Sequence, residues 1–233
     1  MTISVSRYLS IGRLQETGFR GLRRAVADVS APSNAWEPTG GSSEGNPRAA
    51  EILRESAKLF AANGYDGTSV QDIASAVGIK KASIYHFFSD KAEIHSTIVL
   101  ASITRLTALV HEKVQGRMTA CDKAEAFARA HAQHISESAP FYFTAALGYN
   151  EIADPNAKAK VQRMRDGYEE TLRGIIREGI ENGEFRELDV KLAARAIISC
   201  LNWMARWWRP NGPETAESIA SNYVKLIIRG FLP

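Results

Sequence analysis

The sequence predicts an all-α protein of about nine helices, and three observations carry that expectation. From Pro47 onward apolar residues recur three and four positions apart, with no sustained alternation at two, the period of a half-buried strand. Residues suited to opening and closing helices stand at the ends of these runs: Asp154 before Pro155, Gly183 after Asn182, and the turn Pro210-Asn211-Gly212-Pro213. The 233 residues are 45% hydrophobic and 24% charged, enough to build a buried core without a disulfide or metal staple.

Residues 1–46 stand apart. As far as Arg24 they hold Arg7, Arg13, Arg20, Arg23 and Arg24 against the single acid Glu16, and the stretch from Ala31 to Pro47 is rich in Pro, Gly, Ser and Asn. Two readings are open, an arm that touches DNA phosphates or a minor groove and a solvated tail. Such a composition buries too little to order itself, which favours the tail.

The first helix is expected over Pro47–Asn63, with Ile52, Leu53, Ala57, Leu59 and Phe60 on one stripe and Gly64 as its left-handed stop. A second begins at Thr68, where Thr68 and Gln71 have capping-box spacing and Val70, Ile73, Ala74 and Val77 face inward. Gly78 breaks the chain, and a third helix spans about Lys80–Phe87. Ser89 or Asp90 caps a fourth, running to about Val114. Further helices are expected over about Ala120–Ser138, Pro140–Tyr149, Pro155–Asn182, 190–208 and Glu214–Gly230. The division is an extension over 1–46, a three-helix helix-turn-helix domain over 47–95 and a helical domain over 96–233, with helix four bridging the bodies.

Net charge is +3 and pI about 8.9, which permits a polyanionic partner without demanding one. Cys121 and Cys200 match no metal-ligand spacing and read as reduced, packed thiols of a cytoplasmic protein. No uninterrupted apolar window is long enough to span a bilayer, and the first residues lack the compact apolar run of a secretory signal.

The stretch TSVQDIASAVGIKKASIYHFFSDKAEI, residues 68–94, places two short helices around Gly78 and Ile79. In such a unit the first helix crosses the DNA backbone and the second enters the major groove. Ile84, Phe87 and Phe88 supply apolar anchors, while Lys80, Lys81, Ser83, Tyr85 and His86 are polar or amphipathic. Lysine suits phosphate or a guanine edge, and hydroxyls suit phosphate or either kind of base edge. The N–H groups opening helix two at Thr68 and Ser69 suit a phosphate, as does the start of helix four beside Lys91. Residues 47–95 hold six Lys and Arg against six Asp and Glu, so binding must rest on local placement of charge.

Residues 52–95 resemble the DNA-binding domain of the TetR family of bacterial regulators. The matching residues include Leu59-Phe60, Gly64-Tyr65, Thr68-Ser69-Val70, Asp72-Ile73-Ala74, Val77-Gly78-Ile79, Ser83-Ile84-Tyr85, Phe88 and Lys91. The resemblance implies a homodimer on a palindromic double-stranded operator, most often as a repressor, with a variable C-terminal ligand domain. It implies Tyr85 and Lys91 as phosphate contacts and Lys80, Lys81 and His86 as groove-side residues. Thr68, Ser69, Val70, Ala82 and Ser83 complete the expected DNA-binding set.

The C-terminal part is notable for its aromatics. Core packing and dimer contact account for most of them, and the functional alternative is an apolar pocket with a few polar anchors. Phe141, Tyr149, Tyr168, Trp203, Arg206 and Trp207 are the candidate ligand residues. Trp203 and Trp207 share a helix face with Arg206 and Arg209 close by, which suits a bulky acid or a coenzyme A thioester. Asn202-Trp203, Trp207, Pro210 and Gly212 loosely resemble a TetR subgroup that controls lipid and steroid breakdown and responds to acyl-CoA. The helices over about 190–208 and 214–230 are candidates for the dimer seam.

Two rivals remain. His131, His134 and Glu137 share a helix face and could hold a metal, as in an enzyme, though the commoner role of such a face is structural. No Gly-rich phosphate loop, G-x-S-x-G elbow or H-E-x-x-H motif is present, and neither cysteine has a readable base partner, so no enzyme, cofactor or metal is expected. An architectural module that keeps the helix-turn-helix but lacks a cavity is the second rival.

Overall fold

The computed structural model describes residues 46–116 and 118–231, so the expectation for 1–46 lies outside the described residues except at Asn46. Nine α-helices and one 3₁₀ turn, with no strand, make up the described residues: α1 Pro47–Asn63, α2 Val70–Val77, α3 Lys81–Ile84, α4 Lys91–Lys113, α5 Ala120–Glu137, α6 Ala139–Leu147, α7 Pro155–Glu181, α8 Val190–Met204 and α9 Ala216–Arg229. The 3₁₀ turn, Tyr149–Glu151, joins α6 to α7.

Most helix starts follow from side-chain capping. Asn46 accepts from the Arg48 N–H at the start of α1, Asp90 from the Glu93 N–H of α4, and Asp154 from the Asn156 and Ala157 N–H groups of α7. Thr119 and Asp122 form a reciprocal box on α5. The start of α2 departs from expectation. Its cap is Ser69, boxed with Asp72, because the Thr68 hydroxyl is buried and donates 2.9 Å to the Gly64 carbonyl at the end of α1.

Helix α3 is shorter than the sequence pattern suggests. After Ile84 the chain tightens into three-residue turns, with His86 N–H on the Ser83 carbonyl and Phe87 N–H on the Ile84 carbonyl. Helix α8 likewise stops at Met204, where Arg206 N–H bonds the Trp203 carbonyl and Trp207 N–H the Met204 carbonyl.

Two main cores result. The first joins α1 to α4 through Ile52, Leu53, Phe60, Ile73, Val77, Ile84, Phe88, Ile94 and Ile98, with Phe141 of α6 added. The second gathers α4 to α9, including Leu106, Leu109, Phe127, Leu172, Ile176, Ile197, Leu201 and Val224. Each fully buried side chain of this size contributes about 1.5–3 kcal/mol. Helix α4 belongs to both cores, with Ile94 and Ile98 in the first and Ile103, Leu106, Leu109 and Val110 in the second.

Among the described residues α4 has the length and composition of a membrane span, although it holds no uninterrupted apolar run of that length. Its large apolar residues other than the half-buried Leu100 are buried against helices of both bodies, as in a core helix.

Candidate nucleic-acid interface and ligand cavity

The reading head is held by a few local contacts. Gly78 closes α2 in the left-handed region at φ 72°, ψ 34°, and the Ile79 N–H reaches back 2.9 Å to the Ala74 carbonyl. That turn sends α3 away from α2. Ile84 and Phe88 are buried, while Lys80, Lys81, Ala82, Tyr85 and His86 are exposed and Ser83 is half-buried. Tyr85 keeps 48% of its surface, unusual for so large an aromatic side chain.

Lys91 is tethered. Its ammonium donates 2.9 Å to the Tyr65 carbonyl and 3.0 Å to the Thr68 carbonyl, and lies 4.1 Å from the centre of the Tyr65 ring. It therefore clamps α4 to the α1–α2 turn. At the start of α4 the Asp90 carboxylate takes the Glu93 N–H and the Glu93 carboxylate takes the Ser89 N–H, so acids occupy the place expected for a phosphate. At α2 the Ser69–Asp72 box uses the Ser69 and Asp72 N–H groups, leaving those of Val70 and Gln71 outside it.

The joint between the two cores is built around His95 and two aromatic rings. His95 of α4 is buried edge-on to the Phe60 and Tyr65 rings. Burial, aided by the neighbouring Lys91 charge, pushes its pKa down to about 4, so the ring is neutral at physiological pH. A Cβ on Gly148 would overlap this imidazole, so glycine there lets α6 seat against α4.

Beyond the joint lies a cavity of about 380 Å³ between α4, α5, α6, α7 and α8. Val99, Ser102, Ile103 and Leu106 of α4 form one wall, His131 and His134 of α5 another, and Tyr142, Phe143, Ala145, Tyr168 and Ala205 complete the buried part. Its lining residues that keep solvent exposure, Ala146, Leu147, Arg165, Glu169, Ile198, Asn202 and Arg206, mark the open side. Burial drives both histidines down to pKa about 3 and raises the Tyr142 and Tyr168 phenols, so these polar groups are neutral. Arg165 donates 2.9 Å to the Ala145 carbonyl, and the Arg206 guanidinium stacks on Trp203.

Comparison with known proteins gives a consistent answer. Residues 52–96 match the family of bacterial regulatory proteins named after TetR, and residues 117–231 match the tetracyclin repressor-like C-terminal domain. The HTH-type transcriptional repressor KstR2 of Mycobacterium tuberculosis is 30% identical over 197 residues, spanning 79% of this chain and 93% of that protein. The chain belongs to the TetR family. The solved TetR-family regulator PfmR of Thermus thermophilus is 44% identical, with a TM-score of 0.72 over 76% of this chain and 97% of its own. The fatty acid metabolism regulator protein of Bacillus subtilis is 26% identical, covering 79% and 95% of the two chains. A TetR-family chain is a DNA-binding regulator and not an enzyme.

Several residues singled out in the sequence of this TetR chain lie away from the places expected. Thr68 is buried and spent on a backbone carbonyl, and Val70 is half-buried against the first core. Of the six candidate ligand residues, Tyr168 and Arg206 line the cavity. Phe141 packs into the first core, Tyr149 packs beside Val99, Ile152 and Val161 with its hydroxyl on Gln162, and Trp203 and Trp207 are 61% and 44% exposed. The reason is helix phase: at Trp203 and Trp207, α8 and the turn after it face outward, while Ile198, Asn202, Ala205 and Arg206 face the cavity.

His131, His134 and Glu137 do not converge. The histidines bond Tyr168 and Ser102 inside the cavity wall, whereas Glu137 accepts from Gln133 and pairs with Arg105, and no metal-capable group of three occurs among the described residues. The candidate ligand set left out Ser102, Tyr142, Arg165 and Asn202, which also line the cavity. Tyr142 stood among the C-terminal aromatics and Asn202 in the motif shared with the lipid-breakdown subgroup, while Arg165 carried a signal in preceding Tyr168 by three on α7 and so sharing its face.

Proposed function

We propose that this protein is a cytoplasmic, homodimeric repressor that a coenzyme A thioester releases from a palindromic operator. The observation that carries the reading is the double membership of α4. Its first turn is clamped to the reading head through Lys91, and its middle forms a wall of the cavity. An occupant that favours a displaced α4 therefore lowers the population of dimers able to place two α3 helices about one DNA turn, roughly 34 Å, apart. Lys80, Lys81, Tyr85 and His86 on the exposed side of that head are the groove and phosphate residues in this reading, with Ser69, Val70, Ala82 and Ser83 beside them.

The division at residues 46 and 95 follows, with a head over 47–95 and a sensing and pairing body over 96–233. Exposed Leu192, Trp203, Trp207 and Leu226 give α8, the turn after it and α9 an apolar face that a second copy can cover. The cavity lies near the lower end of ligand pockets, roughly 300–1,000 Å³. It suits an acyl group whose bulkier nucleotide stays outside, where Arg165 and Arg206 can meet its phosphates. The names of the relatives, a ketosteroid regulator for the solved KstR2 and a fatty acid metabolism regulator, agree with an acyl effector.

The test is selection of a duplex from a random library by the full chain, followed by anisotropy titration of that duplex with acyl-CoA thioesters. Release at micromolar thioester, with free coenzyme A inert, is expected. A dimer that holds its duplex unchanged through the whole thioester series would overturn the effector assignment.

A further inference from the structure

His131 and His134 stand one helical turn apart on α5, each only 1% exposed, and both line the cavity. Each spends one ring nitrogen on a neighbour: His131 Nδ1 lies 2.5 Å from the Tyr168 hydroxyl, and His134 Nε2 lies 2.9 Å from Ser102 Oγ. The remaining nitrogens, His131 Nε2 and His134 Nδ1, have no hydrogen-bond partner. Buried ring nitrogens without partners are rare because each forfeits the hydrogen bond it had with water. Two of them in the wall of one cavity call for an occupant that supplies the missing bonds.

We propose that the acyl group accepted by this cavity carries an oxygen, as a hydroxyl or ketone, that is read by His131 and His134. This rests on the effector reading above and narrows it from acyl thioesters in general to oxygen-bearing ones.

The distribution of charge supports the choice of a neutral oxygen over a carboxylate. Burial keeps both imidazoles uncharged, and Tyr142 and Tyr168 beside them are neutral phenols. The cations among the lining residues, Arg165 and Arg206, lie with the more exposed residues of the opening. An anion is thus matched at the mouth and a neutral polar atom at depth, with Val99, Ile103, Leu106 and Phe143 as apolar walls. Either tautomer of His131 serves. If the Tyr168 hydroxyl donates to Nδ1, then Nε2 carries the proton and donates to a ketone or hydroxyl oxygen. In the reverse arrangement Nε2 accepts from a hydroxyl. A plain alkyl chain leaves both nitrogens as they are.

Calorimetric titration of the full-length dimer with matched thioesters tests this without knowledge of the operator. One pair is octanoyl-CoA and 8-hydroxyoctanoyl-CoA, and the other is cyclohexanecarboxyl-CoA and 4-oxocyclohexanecarboxyl-CoA. The oxygenated member of at least one pair is expected to bind about ten-fold more tightly, the effect of one well-made buried hydrogen bond. In His131→Phe that ratio is expected to shrink to about two-fold whatever the absolute affinities of the two members become, a selective change that general loosening of the fold, which weakens both alike, would not produce. Equal affinities within both pairs on the unmodified protein overturn the inference and leave the thioester reading standing, whether or not the variant folds. A folded His131→Phe that retains the full ratio overturns the role of His131. Failure of every thioester to bind removes the effector reading itself, and this inference with it.

Discussion

Lys81 and Lys91 carry the same charge in different surroundings, and their roles divide accordingly. Lys81 is exposed at the start of α3, whereas Lys91 is bound to two carbonyls and a ring. Lys81→Ala is expected to weaken DNA binding with little change in the melting temperature, and to reduce the slope of log affinity against log salt by about 1 if it meets a phosphate. Lys91→Ala is expected to cost on the order of 1 kcal/mol of stability as well. Paired salt titrations and urea melts of the two variants separate these effects. The buried histidines make a second prediction. In the folded protein His131 and His134 stay neutral down to about pH 3, whereas unfolded histidine takes a proton below its ordinary value of 6.5. The unfolded state therefore binds more protons as pH falls below 6.5. Stability that is fully present above that value is lost progressively towards pH 3, at about 1.4 kcal/mol per pH unit for each ring. Urea midpoints at pH 7.5 and 5.5 should differ clearly, and His131→Phe should flatten the dependence.

The α2–turn–α3 unit depends on one backbone conformation. Gly78 has φ 72°, and a methyl group added there would meet nothing within 4 Å, so the cost of Gly78→Ala is purely conformational. A loss of about 1 kcal/mol is expected, read by chemical denaturation. Because the turn aims α3, DNA affinity should fall by more than the stability change accounts for. At the joint between α4 and α6 the opposite holds. Gly148 there has an ordinary negative φ, and it is the His95 ring that leaves no room for a side chain. Glycine is thus required by backbone geometry at one position and by packing at the other. Helix α4 links the two, since its first turn holds the reading head and its middle faces the cavity.

For the whole molecule the apolar face on α8, the turn after it and α9 is decisive. Trp203 and Leu226 are large side chains more than 60% exposed, an arrangement a chain tolerates poorly unless association covers it. Trp203→Glu is expected to shift the protein towards monomer, seen by sedimentation at micromolar concentration. Operator affinity should fall steeply with it, because two half-sites are then no longer engaged at once. A variant that sediments as wild type would move the seam elsewhere. The head itself should remain folded, since its core of Ile52, Leu53, Ile73, Ile84 and Ile94 lies apart from these helices.

Much of this protein could be read along the chain. Helix periodicity and the residues at helix ends act over three or four positions, so the all-helical class and most of the element order were legible, as was the helix-turn-helix. Boundaries slipped where a neighbouring element claimed a side chain, as Gly64 claims the Thr68 hydroxyl and moves the cap of α2 to Ser69. The cavity was another matter. Its wall brings Ser102 to His134, His131 to Tyr168 and Tyr142 to Asn202, contacts 32, 37 and 60 residues apart. Local spacing holds no record of such meetings. The tryptophans near the end of α8 look equally suited to a pocket or to a seam, and the rotation of one helix about its own axis turned them away from the cavity.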